Sequence, residues 1–117
     1  MATPQSKFEI GLPTHDVAVP PNAITVGEIT QVDVEITVAG VKSVYSSPVS
    51  PTAPVGSIVE VPFTALSPPF VPVPGTSYSA DAYFVNSAGN GVPSVVISWT
   101  QVAATGVPDA PTSFSVA

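Results

Sequence analysis

The sequence predicts an all-β protein, and three observations support this. The chain has 21 Val, 6 Ile and 11 Thr but only 2 Leu and 1 Met, so β-branched residues dominate and good helix formers are scarce. Apolar residues alternate with polar ones in several short segments, which is the pattern of a half-buried strand. The 15 prolines and 8 glycines cluster between those segments. A single β-sandwich of about seven strands, with extended N- and C-terminal arms, is the architecture these features favour.

The predicted strands are short and follow one another at intervals typical of a sandwich. In chain order they are Phe8–Leu12, Ala23–Ile29, Val32–Val38, Val41–Ser46, Val59–Phe63, Tyr78–Asn86, Val95–Thr100 and Ser113–Val116. The third is the clearest, because Val32, Val34, Ile36 and Val38 share one face while Asp33, Glu35 and Thr37 share the other.

Alternation also defines the later strands. Val59, Val61 and Phe63 alternate with Glu60 and Pro62. Since proline cannot donate to a strand ladder, Pro62 should lie on an edge or at a strand end. In Tyr78–Asn86 and in Val95–Thr100, alternate apolar residues again share one face.

One part of the chain, from Leu66 to Ser94, resembles the second half of a fibronectin type III domain. The residues that carry the resemblance are Leu66, the run Pro74-Gly75-Thr76-Ser77-Tyr78, then Ala80, Ala82, Phe84 and Asn86, and finally Gly89, Gly91, Pro93 and Ser94. The resemblance implies an immunoglobulin-like sandwich in which Tyr78 opens strand F. Its ring would be buried and its hydroxyl would pair with upstream backbone.

The end of the chain carries a second resemblance. The run from Val107 to Val116 is similar to the opening strand of a fibronectin type III domain. It could lie on its own domain, pair with the sheet edge of a neighbouring subunit, or be the relic of a tandem array. The predicted organisation is therefore an N-terminal arm at 1–7, a sandwich at 8–103 and a proline-rich tail or strand at 104–117.

Charge and hydropathy exclude several classes of partner. The net charge is −6, and Lys7 and Lys42 are the only lysines or arginines. Nucleic-acid binding requires cations to neutralise phosphates, and binding to anionic membranes requires them too, so neither partner is expected. The N-terminus lacks a secretory signal, and the longest uncharged stretches are interrupted by proline, glycine and polar residues.

The sequence offers few groups for chemistry. There is no cysteine, and His15-Asp16 is the only histidine with an adjacent carboxylate, without a serine motif to accompany it. Asp33 and Glu35 share a strand face and could supply two of the six to eight oxygens that calcium requires. We predict no catalytic residue, no cofactor and no metal site, and a solvated loop and a solvated sheet face at these two places.

The candidate interface residues are apolar or aromatic side chains outside the predicted core: Phe70, Val71, Tyr83, Phe114 and Val116. Phe70 lies in the rigid run Pro68–Pro74, where it is either packed over the end of the sandwich or presented to a partner. Tyr83 shares the outward face of its strand with Asp81.

The resulting hypothesis is a non-enzymatic structural protein. Sandwiches that resemble fibronectin type III domains occur in phage virions and in bacterial surface proteins, and the expected lack of a signal peptide favours the virion. We expect a capsid decoration protein, made in the host cytoplasm, that binds the major capsid protein, with self-association into a homo-oligomer as a further option. The alternatives are a tail or neck component and a cell-surface adhesion or carbohydrate-binding module.

Overall fold

The fold is all-β, as predicted. A computed structural model describes residues 4–103 and 110–116, and these contain seven strands and one 3-10 turn. The strands are β1 (Lys7–Gly11), β2 (Ile29–Val38), β3 (Val41–Pro48), β4 (Ile58–Pro62), β5 (Ser77–Asn86), β6 (Gly89–Asn90) and β7 (Ile97–Thr100). The 3-10 turn covers Phe63–Ala65. No helix in the described ranges is long and apolar enough to cross a bilayer.

The strands form two antiparallel sheets. The smaller sheet contains β1 and β4, with Phe8 opposite Val61. The larger has the order β3-β2-β5, and β6 and β7 both pair with the far side of β5. At its centre, Val34 of β2 lies opposite Tyr45 on one side and Ala82 on the other.

The alternation of β2 determines which face of the larger sheet is buried. Val32, Val34 and Ile36 are almost fully buried, whereas Asp33 and Glu35 between them are only partly covered. These three aliphatic residues pack in one core cluster with Val61 of the smaller sheet. The two-residue periodicity therefore places the core between the sheets, as the sequence predicts.

One end of the sandwich is filled by five rings, which we call the aromatic cluster: Phe8, Phe63, Phe70, Tyr78 and Trp99. The ring centroids of Phe8 and Phe63 are 4.8 Å apart, and those of Tyr78 and Trp99 stack at 5.4 Å. The Tyr78 hydroxyl accepts a hydrogen bond of 2.9 Å from the backbone N–H of Val73. Tyr78 is therefore buried and bonded to upstream backbone, as expected from its sequence context.

Three predicted strand segments differ in the structure. The predicted strand Ala23–Ile29 does not form as a separate element. Ile29 begins β2, and Thr25–Glu28 forms a turn in which Gly27 has a φ of +83° and Glu28 N–H donates to the Thr25 carbonyl. Val95 and Val96 precede β7 and lie outside it. The described C-terminal residues, including Ser113–Val116, form no strand.

The two ends of the sandwich also differ from the predicted bounds. β1 begins at Lys7, inside the predicted arm at 1–7, and Gln5 is bonded to the sandwich. The Gln101 side chain donates to the Gln5 carbonyl at 2.9 Å, and Val102 N–H donates to the Gln5 side chain at 3.0 Å. Pro62 ends β4, as predicted. Residues 104–109 and 117 of the predicted tail lie outside the described residues.

Candidate interaction surfaces

The sandwich is open along one side, where β1 faces the segment that joins β6 to β7. We call this opening the lateral groove; its volume is about 480 Å³. The apolar side chains that line it include Phe8, Ile10, Ala82, Phe84, Val95 and Ile97. Lys7, Glu9 and Asp81 lie at the same opening, so an apolar interior has a charged rim.

The groove exists because the ladder on the far side of β5 is interrupted. Between β6 and β7 the chain runs beside β5 without regular strand pairing, and one of the hydrogen bonds between them uses a side-chain hydroxyl. Ser94 N–H donates to the Ala82 carbonyl at 2.7 Å, and Ala82 N–H donates to the Ser94 hydroxyl at 3.0 Å. Gly91 N–H donates to the Phe84 carbonyl at 2.7 Å. Pro93 has no N–H to donate to β5. The segment between β6 and β7 therefore does not continue the regular strand pairing, and the core stays uncovered on this side.

The two inward-facing residues of β7 show where side chains between the two sheets cease to be buried. Ile97 pairs with Ala80 and Trp99 pairs with Tyr78, so both face the smaller sheet. Trp99 is covered by the aromatic cluster, whereas Ile97 remains 51% exposed and Val95 beyond it 83%. The inner face of the larger sheet is therefore accessible from the groove.

The groove is bounded by an unpaired strand edge. Within residues 4–103 and 110–116, β4 is the only strand that pairs with β1. Phe63 N–H donates to Ser6 and Leu12 N–H donates to Ser57, so in this antiparallel register Phe8 and Ile10 turn their backbone groups towards β4. The N–H and C=O groups of Lys7, Glu9 and Gly11 consequently point away from β4, towards the groove.

The outer face of the larger sheet is acidic. Glu35 lies directly opposite Asp81, and Asp33 opposite Tyr83. Like charges in opposite positions destabilise a sheet, and Lys42 offsets this with a 3.0 Å ion pair to Glu35. Glu35 in turn raises the pKa of Lys42, by hydrogen bonding and by its charge. We call this surface the acidic face.

Tyr83 lies on the acidic face, as the sequence predicts, but it is half-buried. Partial burial raises the pKa of its hydroxyl, and the Asp33 carboxylate raises it further. Asp33 Oδ1 also accepts hydrogen bonds from Gln31 at 2.6 Å and from the Ser46 hydroxyl at 2.8 Å. Tyr83 therefore presents a neutral hydroxyl in an anionic surrounding.

The carboxylates do not gather into a metal centre. No group of three or more His, Cys, Asp or Glu residues that could hold a metal ion occurs in the described part of the chain. Asp33 and Glu35 are each engaged by side chains of their own sheet.

The His15-Asp16 loop is organised by its carboxylate. Asp16 accepts hydrogen bonds from Asn22 N–H at 2.8 Å, from the Asn22 side-chain amide at 3.0 Å and from Ala18 N–H at 3.0 Å. These bonds, those of Asn22 above all, hold the Asp16 pKa below its usual range. His15 Nδ1 lies 3.0 Å from the Thr14 hydroxyl. The carboxylate therefore holds the loop together at the mouth of a second cleft, of about 340 Å³.

The other candidate interface residues divide into buried and exposed ones. Phe70 is packed over the end of the sandwich and is not presented to a partner, since its ring is 6% exposed and lies in the aromatic cluster. The adjacent Val71 is exposed. Phe114 and Val116 are both 96% exposed, within a C-terminal segment, Ala110–Val116, that is exposed throughout.

Sequence reasoning does not identify the lateral groove, although one signal for it exists. The run Val92-Pro93-Ser94-Val95-Val96-Ile97 places a proline among apolar residues in what otherwise reads as one strand. Such a proline indicates an interrupted strand whose apolar side chains lack a regular place in the sheet. A scan of protein-family models and a search of curated proteins both give no match to this chain.

Proposed function

We propose that this chain is a non-enzymatic structural protein of a phage virion, a capsid decoration protein that binds the major capsid protein. The observation that carries the proposal is the lateral groove, an apolar opening beside a free strand edge. Soluble monomers rarely expose contiguous apolar surface unless a partner covers it, and free edges pair with other chains. Val92 and Val95, which line the groove, are exposed parts of that surface.

The pairing order of the larger sheet supports the immunoglobulin-like interpretation. Such sandwiches have a sheet in which strand C lies beside F, F lies beside G, and an additional strand can follow C. The order β3-β2-β5-β7 has this arrangement if β5 is strand F and β2 is strand C. The bonded Tyr78 at the start of β5 agrees with that assignment.

The charges favour a protein partner. Lys7 is paired with Glu60 at 3.0 Å and Lys42 with Glu35 at 3.0 Å, so both lysines are already engaged. This supports the expectation that nucleic acid and anionic membranes are not partners. A partner that offers a strand and apolar side chains fits the groove better.

The test is to locate and count the protein in purified particles. Quantitative mass spectrometry should find hundreds of copies per virion, and electron microscopy should place them on the capsid surface. A handful of copies would overturn the capsid assignment, and absence from particles would overturn the virion role altogether.

A tail or neck component is a second candidate, favoured by one observation. The protein combines a free β1 edge with an exposed C-terminal segment, and two different surfaces of this kind can join identical subunits into a ring. A closed ring of fixed copy number in solution would favour this role over decoration. An adhesion module has less support, because Tyr78 and Trp99 pack in the aromatic cluster and do not form a platform for sugars.

A further inference from the structure

We propose that the C-terminal segment of one copy, Ala110–Val116, docks in the lateral groove of a second copy. It would add a strand to the free edge of β1, with Phe114 and Val116 inserted among the apolar side chains. This inference rests on the proposed function in one respect, since both describe a protein that assembles with other subunits. It adds the identity of the segment that occupies the groove.

The acceptor is suited to a strand. The backbone groups of Lys7, Glu9 and Gly11 point towards the groove, so an incoming strand can form a regular ladder there. Beside that edge lie Phe8 and Ile10, whose side chains face inward. Every second side chain of the incoming strand would meet this apolar interior.

The donor has the matching pattern. In Thr112-Ser113-Phe114-Ser115-Val116, the two large apolar side chains alternate with serines. A strand of this length spans about 16 Å, which is also the length of the five-residue β1. No residue of Ala110–Val116 is charged, so insertion brings no unpaired charge into the groove.

The structure favours a second copy as the source of the segment. β7 ends beside the start of β1, where Gln5 bonds to Thr100 and Gln101, so the last residues of the sandwich lie near the chain's own groove. Phe114 and Val116 nevertheless stand 96% exposed and do not line that groove. Because donor and acceptor are different surfaces, each copy can both give and receive a strand, which leads to rings or filaments.

The absence of cysteine from the chain allows a direct cross-linking test in the full-length protein. One preparation carries Glu9→Cys, and a second carries Ser115→Cys or Ser113→Cys. The side chains of these positions would lie on the outer face of neighbouring strands, within the roughly 6 Å Cα separation that a disulfide requires. The control acceptor is Glu60→Cys, which lies opposite Glu9 on β4 but is separated from the groove by β1.

We expect a mixed disulfide dimer between the Glu9→Cys protein and the Ser115→Cys (or Ser113→Cys) protein. It should form about tenfold faster than the dimer between the Glu60→Cys protein and the same partner, because only Glu9→Cys lies within disulfide-bonding distance. Equal rates would overturn the inference. A chain with both Glu9→Cys and Ser115→Cys (or Ser113→Cys) should cross-link between copies, and an internal disulfide in a dilute monomer would assign the groove to the chain's own segment instead.

Association without cross-linking provides the second measurement. Light scattering during size-exclusion chromatography should show concentration-dependent oligomers of the unmodified protein. Phe114→Ser with Val116→Ser should abolish them, whereas Val19→Ser, at a site 97% exposed elsewhere, should not. Glu9→Pro, which removes an outward N–H of β1, should also abolish them. If the unmodified protein stays monomeric at high concentration, this inference is overturned but the proposed virion function is not. If the protein forms these oligomers but is absent from virions, only the proposed function is overturned.

Discussion

The aromatic cluster and the lateral groove are covered by the same two sheets but differ in how well they are closed. At the aromatic cluster, the turn at Phe63 and the proline-rich loop with Phe70 seal the end of the sandwich. Along the groove, the segment between β6 and β7 follows β5 without covering Ile97. Closure therefore depends on which loops pack across the two sheets, since both regions have apolar side chains to bury.

The difference also separates stability from association. Four of the five rings of the aromatic cluster are buried within one chain and Trp99 is partly buried, so they contribute to its folding free energy. The exposed side chains of the groove, such as Val95 and Ile97, can still lose accessible surface when a partner binds, so they are available to contribute to association. Substitutions in the two regions test this division.

The largest effect should come from truncating a ring in the aromatic cluster. Phe63→Ala removes contacts with Phe8, Phe70 and Trp99, and should lower the free energy of unfolding by about 3–5 kcal/mol. Denaturant unfolding followed by Trp99 fluorescence measures this. Val95→Ala at the groove is the matched control and should change the value by no more than about 0.5 kcal/mol. Comparable losses for the two variants would mean that the groove is closed in solution.

A smaller effect should come from the tyrosine bond that seals the same end. Tyr78→Phe keeps the ring but leaves Val73 N–H without its acceptor, and should cost about 1 kcal/mol in the free energy of unfolding. Tyr45→Phe is the control, since its ring also contacts Phe70 but its hydroxyl bonds to none of the described residues. If the two variants are equally stable, the Tyr78 hydroxyl does not hold the loop.

On the open side, the Ser94 hydroxyl should matter locally. Ser94→Ala removes the acceptor for Ala82 N–H, and should lower the local opening free energy there by about 1 kcal/mol, a roughly fivefold faster amide exchange. Hydrogen exchange followed by NMR measures it. Ser43→Ala on β3 should leave the Ala82 amide unchanged. Unchanged exchange in Ser94→Ala would mean that water replaces the hydroxyl without cost.

The smallest effect should be the pH dependence of the Asp16 loop. Because hydrogen bonds from Asn22 and Ala18 favour the carboxylate, the pKa of Asp16 should lie below the ordinary value of about 3.9. Its contribution to stability should be complete above that value and lost as the pH falls through the lower, folded-state pKa. NMR titration of the side chain should show this, and Asn22→Ala should move the pKa upward. Asn90→Ala, which leaves these bonds intact, should not.

Sequence patterns predict the central strands because their information is local. The alternation in Val32–Val38 is sufficient to place β2 and its buried face, and the context of Tyr78 is sufficient to place the start of β5 and its hydroxyl bond. The predicted strand at Ala23–Ile29 fails because Gly27 permits a turn that composition alone does not reveal. Local patterns determine elements more reliably than they determine turns between them.

The candidate surfaces depend on contacts between distant residues, which a single sequence does not specify. The burial of Phe70 depends on rings from four other elements, and the proline-rich run around it fits either outcome. The lateral groove depends on β1 having one strand neighbour and on the interruption of the strand that contains Pro93. Both are properties of the assembled sheets.

The two ion pairs determine how copies of this protein respond to ionic strength. With Lys7 and Lys42 each neutralised by a glutamate, a net charge of −6 remains on every copy, with no free lysine or arginine in the described residues to attract another copy. Copies therefore repel one another at low salt, and this repulsion is screened beyond about 8 Å at physiological ionic strength. Added salt should strengthen contacts between copies, which is the opposite of its effect on complexes held together by opposite charges.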